Sequence, residues 1–169
     1  MRLYVERGFE QTTVAEIARE AGITERTFFR HYSDKREVLF GGSSMLQELF
    51  VTSVVEAPHS ATPIEAVDAA LQAAGGLLQE RRPYSLQRQS VIDANAELRE
   101  RELLKLASLA AAIADALRKR GVSEPTASLT AEAGIAVFKV AFTRWVGDED
   151  APALTQVLRE TMARLHEAV

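Results

Sequence analysis

The chain has 169 residues, 47% of them hydrophobic and 26% charged, with no cysteine. That composition suits one domain, or a small domain and a larger one, folding without disulfides, and it excludes thiol nucleophiles and thiolate metal sites. Net charge is −4, which on totals argues mildly against nucleic acid. Residues 1–37, however, hold seven Lys or Arg and seven Asp or Glu, so the whole −4 lies in the other 132 residues and any nucleic-acid contact is expected in the N-terminal quarter.

Helix signals run through the whole sequence and strand signals are nearly absent. Arg2 to Arg7 reads as a helix end stopped by Gly8. Thr13 is a good N-cap with Glu16 at the capping-box position, and Val14, Ile17, Ala18 and Ala21 follow on one apolar face. Gly22 supplies a tight turn, and Thr24 caps a short helix through Tyr32. Asp34 caps a longer helix from Lys35 to about Glu56, weakened at Gly41-Gly42. Thr62-Pro63 starts a helix to about Arg82, and Pro83 opens a shorter one to about Ala94. A long helix spans Asn95 or Ala96 to Gly121, another Ser123 to Val146, and a last one, capped by Asp150 with Pro152 in its first turn, runs almost to the end. No apolar run approaches the roughly 20 residues of a membrane span, and the N-terminus is no secretory signal. We therefore expect an all-α chain of about nine helices, with no membrane partner and a cytoplasmic location.

Helix, glycine turn, helix is the helix-turn-helix arrangement. On a helical wheel Phe28 and Tyr32 share the side that packs on Val14, Ile17 and Ala21, while Arg26, Thr27 and Arg30 fall opposite, with His31 at the edge. Two arginines, a hydroxyl and an imidazole suit phosphates and base edges. Thr12 and Thr13 offer hydroxyls and backbone N–H groups to phosphate, and Lys35 can reach the same strand.

The ordered set Gly8-Phe9, Thr12-Thr13-Val14, Ile17-Ala18, Ala21-Gly22-Ile23-Thr24, Thr27-Phe28-Phe29, His31-Tyr32 and Lys35 resembles the DNA-binding motif of the TetR family of transcriptional regulators over about residues 3–39. The resemblance makes Ile23–Tyr32 the recognition helix, with Thr24 at its start. Glu25 and Arg26 would read bases, Thr27 a base or phosphate, and His31 and Lys35 the backbone. Phe29 stands where the family often has a phosphate-binding tyrosine, which implies a packing role. Family members usually start earlier, so the first helix reads as shortened. The resemblance divides the chain into a helix-turn-helix domain, 1–38, and a helical ligand-binding and dimerisation domain, 39–169.

No catalytic set, metal spacing or nucleotide motif stands in the larger part, so neither enzyme activity nor a cofactor is expected. Phe138, Phe142 and Trp145 form one helical stripe, matched by Leu154, Leu158, Met162 and Leu165 on the last helix; these read as a dimer interface, which the resemblance places in an intersubunit four-helix bundle. Candidate effector contacts are Leu46, Phe50, Val54, Leu71, Leu78 and Ile92, with Arg88 and Asn95 as polar groups. The stretch from Ile92 to Arg99 is similar to family members that respond to fatty acyl thioesters. The function implied is a homodimeric repressor that binds a near-palindromic double-stranded operator and releases it on binding a small apolar, amphipathic or acyl-thioester-like effector. The alternatives are a regulator controlled by a protein partner and an all-helical lipid or ligand carrier.

Overall fold

The computed structural model describes residues 1–168, and all regular structure among them is helical. The helices are α1 (Arg2–Arg7), α2 (Val14–Glu20), α3 (Glu25–His31), α4 (Glu37–Phe40), α5 (Ser43–Glu56), α6 (Pro63–Gln79), α7 (Arg82–Asp93), α8 (Ala96–Lys119), α9 (Thr126–Gly147) and α10 (Leu154–Ala168). They gather into two compact units. The first holds residues 1–43 and 83–103, and the second holds 44–82 and 104–169.

Local chemistry explains most boundaries. Thr13 and Thr62 both build full capping boxes, with Glu16 and Glu65 reaching back to the cap backbone, and Pro63 sits at the first helical position. The hydrogen bonds from Thr13 and Thr62 hold both carboxyls below their usual range. Gly22 takes φ +67°, a left-handed turn that a side chain would strain. The helix expected from Lys35 to Glu56 is broken at Gly41-Gly42 into α4 and α5. The last helix differs from expectation: it starts at Leu154, beyond Asp150 and Pro152, and the Leu154 N–H donates to Gln79 Oε1 at 2.8 Å. A glutamine from another helix thus does the capping expected of a local aspartate.

One sequence expectation is corrected here. Glu37–Glu56 is long and apolar enough, by composition, to match a membrane span. It is divided at Gly41-Gly42, and of its apolar side chains Leu39 and Phe40 are buried in one core and Phe50 and Val54 in the other, while Met45 and Val55 are exposed.

The first unit buries Tyr4, Phe9, Leu39, Phe40, Val91, Ile92 and Leu98 together. Arg88 fixes α7 there by donating from Nε to the Leu39 carbonyl (2.8 Å), pairing with Glu102 (3.0 Å) and lying 4.9 Å over the Phe40 ring. The second unit has a larger core from α5, α6, α8, α9 and α10. Small residues let its helices approach closely. A Cβ built on Gly134 of α9 would lie 2.4 Å from Val67 Cγ1, and one on Gly75 of α6 would lie 2.8 Å from Leu158 Cδ1. Gly134→Ala is therefore expected to destabilise the protein by about 1 kcal/mol net. Overpacking against the stiff, fully buried Val67 costs more than the roughly 1 kcal/mol that alanine gains in helix propensity. Urea denaturation reads this directly, and a raised midpoint would show that the helices part without strain.

Candidate nucleic-acid interface

The turn between α2 and α3 sets two short helices against each other. The Ile23 N–H returns to the Ala18 carbonyl at 2.9 Å, and Thr24 Oγ1 accepts from the Thr27 N–H at 3.1 Å to start α3. Phe28, 1% exposed, anchors α3, with Tyr32 at 5.3 Å and Phe29 edge-on at 5.4 Å between ring centroids. Burying a side chain of this size contributes about 1.5–3 kcal/mol, enough to fix the helix orientation.

That anchoring turns Glu25, Arg26, Phe29, Arg30 and His31 outward, all exposed, with Thr27 half-buried. Arg26, Arg30 and His31 form no ion pair or side-chain hydrogen bond among the described residues, whereas Arg2, Arg7 and Arg36 are neutralised by Glu20, Glu16 and Asp34. The unspent positive charge of the N-terminal segment is thus concentrated on α3, together with Arg19 of α2. The exposed Phe29 ring adds an apolar contact at 54% exposure on the same helix.

Four candidate contacts are otherwise engaged. Thr12 is 1% exposed and donates its hydroxyl to the Gly8 carbonyl at 2.8 Å, so it faces inward and not toward phosphate. Thr13 spends both its hydroxyl and its N–H on Glu16 Oε2, each at 2.9 Å. The Thr24 hydroxyl caps α3 and lies 3.0 Å from that of Thr27. Lys35 Nζ donates to the carbonyls of Phe9 (2.9 Å), Thr12 (3.2 Å) and Glu10 (3.3 Å) and sits 4.3 Å above the Phe9 ring. An ammonium has three donors, and all are taken. The Tyr4 hydroxyl, whose pKa burial pushes up, donates to the Lys35 carbonyl at 2.5 Å.

Lys35 therefore fastens the corner between α1 and α2 rather than offering its charge to a backbone. Sequence spacing cannot reveal this, because the three carbonyls lie more than twenty residues away. Lys35→Met should lower stability by about 2 kcal/mol through three lost charge-assisted bonds and the ring contact. Thermal melting measures it. An unchanged melting temperature, with a flatter salt dependence of DNA binding, would instead assign Lys35 to phosphate.

The other predicted clusters are partly rearranged. Among the candidate effector contacts, Leu46, Phe50, Val54, Leu71 and Leu78 belong to the core of the second unit, but Ile92 lies in that of the first. Arg88 is spent on Leu39, Glu102 and Phe40, and Asn95 Nδ2 donates to the Val91 carbonyl at 2.7 Å. The eight are thus divided between the two units. The stripe expected at a dimer contact is packed within the single chain. Trp145, Leu154 and Leu158 are fully buried within the single chain, Met162 and Phe138 nearly so, and Phe142 and Leu165 pack against the same core. α9 and α10 turn these residues toward each other and toward α6. Among the residues α9 leaves outside are Leu129, Ala136, Val140 and Thr143, with half-buried Ala133 between them and the exposed Ser128, Glu132, Lys139 and Arg144 beside them. From Leu129 through Ala133 to Thr143 the spacing of four, three, four and three residues is that of a helix-packing seam.

A helix-turn-helix head whose second helix carries the exposed, unpaired Arg26 and Arg30, in a chain with a larger helical body, is the arrangement of a DNA-binding regulator. Residues 1–40 match the family described as bacterial regulatory proteins, tetR family, and residues 61–169 match the MftR C-terminal domain. The chain belongs to the TetR family of bacterial transcriptional regulators. It is 32% identical over 80 residues to the HTH-type transcriptional regulator TcmR of Streptomyces glaucescens; that match covers 47% of this chain and 35% of TcmR, so it spans about a third of the relative's length. Among solved structures, the fatty acid degradation regulator FadR from Bacillus halodurans aligns over 99% of this chain and 94% of its own, with TM-score 0.64 and 18% identity. The TetR family regulator PfmR from Thermus thermophilus aligns over 98% and 93%, with TM-score 0.54 and 20% identity. At such identities these structures establish the shared fold. The family and these neighbours are regulators of transcription, not enzymes.

Proposed function

We propose that the chain is a homodimeric one-component repressor acting in the cytoplasm, with residues 1–38 binding a near-palindromic operator and residues 39–169 holding the effector and the dimer contact. The observation that carries this reading is the exposed set Arg26, Arg30 and His31, without side-chain partners, on a helix anchored by Phe28. Glu25 and Arg26 read base edges, Arg30 and His31 meet phosphates, and Phe29 packs on sugar or a thymine methyl. The exposed α9 stripe, from Leu129 to Val140, is the self-complementary seam between two copies. A small apolar or amphipathic effector releases the operator by favouring the state whose recognition helices do not match the groove spacing. The structural neighbour FadR is a regulator of fatty acid degradation, which is in keeping with an effector related to fatty acids.

The test is fluorescence anisotropy on a duplex isolated by selection from a random library. Specific binding should weaken steeply as salt rises, because each phosphate neutralised releases counterions. Absence of salt-dependent duplex binding would leave the carrier reading instead.

A further inference from the structure

The second unit contains two buried donors with nothing to donate to. Trp145 is fully buried, yet its indole Nε1–H has no partner, and the buried Nε–H of Arg82 has none either. The two lie together, the guanidinium carbon 5.4 Å from the indole ring centroid. Arg82 is not loose. Its Nη2 donates to the carbonyls of Asp148 (2.7 Å), Trp145 (3.2 Å) and Glu149 (3.3 Å) at the end of α9. Those bonds hold the guanidinium in place while leaving Nε unanswered.

Leaving a buried donor unpaired costs about 1–3 kcal/mol, so two at one place call for an acceptor. Both orphans are N–H groups and one carries full positive charge, so the missing partner is an oxygen acceptor and never a cation. The surroundings are apolar. Phe142 lies 5.7 Å from Trp145, Phe138 5.8 Å from Phe142, and Phe50 6.0 Å from Phe138, a chain of aromatic rings leading away from the donor pair.

We propose that Arg82 and Trp145 receive the carboxylate or carbonyl oxygen of an apolar molecule whose hydrocarbon body lies along Phe142 and Phe138. As the site of the effector, this rests on the regulatory reading above; as a binding site, it stands on the donor pair alone. Arg82 is also the first residue of α7, whose later residues Arg88, Val91 and Ile92 are built into the first unit.

Trp145 is the single tryptophan of the chain, so its fluorescence reports the site directly. Titration with decanoate and with decanoyl-CoA, kept below micelle formation, should give a saturable change in emission, while decyltrimethylammonium gives none. The acid alone, the thioester alone, or both responding distinguishes a free carboxylate from an acyl carbonyl, and each supports the site. Arg82→Lys keeps the charge but lacks Nε, and Trp145→Phe keeps the ring but lacks the N–H. Each should weaken binding about tenfold by calorimetry, with a thermal melt that is lowered but still cooperative. No saturable response to either acyl compound, equal binding of the cation, or unchanged affinity in both variants overturns the proposal. So does an ordered water bridging the two donors with the acyl compounds excluded. Binding without operator release keeps the site and removes the effector role; release undiminished in both variants keeps the effector role and removes the site.

Discussion

Replacing Arg26 and Arg30 together by alanine should weaken operator binding by about two orders of magnitude while leaving the fold intact. Both side chains are exposed and unpaired, so their removal takes no stabilising contact from the protein. A base-edge contact contributes about 1–3 kcal/mol, and a phosphate contact contributes a salt-dependent share of similar size. The single variants separate the roles. Arg26→Ala should relax sequence preference at one operator position, with the salt slope nearly kept. Arg30→Ala should weaken all sequences alike and reduce the slope by about one. Thr27→Ala serves as a milder comparison, since that hydroxyl already lies 3.0 Å from Thr24 Oγ1. Unchanged operator affinity in Arg26→Ala would move the reading face elsewhere, and Arg19 would be the next residue to examine.

Val140→Glu should convert the protein to a monomer and reduce affinity for a two-half-site operator by about a hundredfold or more. Val140 is 61% exposed and Leu129 66% exposed, while Ala136 between them allows close helix approach. In a two-fold seam each substitution appears twice, so the glutamates must be desolvated near one another. Losing the dimer also loses the effective concentration of the second recognition helix on its half-site. Light scattering coupled to gel filtration gives the mass, and circular dichroism verifies the helical content. Leu129→Glu should behave alike. A dimer that persists in both variants places the interface off this stripe.

The core-facing stripe gives a sharp contrast. Glutamate at Trp145 or Leu158, both fully buried, should unfold the second unit rather than merely separate subunits. At Leu158 a charge has no water and no partner, and at Trp145 it replaces the indole that fills the core beside Phe142.

Much of this protein is legible in one dimension. Capping threonines, the glycine turn and the apolar spacing around Phe28 specify α2 and α3, because each depends on residues within four positions along the chain. The same periodicity fixes which face of α3 points outward, and hence the candidate contacts Arg26, Arg30 and His31. What spacing cannot specify is the partner of a side chain that acts across the fold. By spacing Lys35 reads as a phosphate clamp, whereas its ammonium donates to the carbonyls of Phe9, Glu10 and Thr12. Gln79, unremarkable in sequence, caps α10 from another helix. The α9 stripe shows the same limit. A helix apolar on several sides does not say which side is buried, and only packing against α6 and α10 decided that Trp145 goes inside and Val140 stays out. Helix start, turn and amphipathic face are local events written in neighbouring residues. Donor occupancy, and the choice between core and interface, depend on groups brought together from distant parts of the chain.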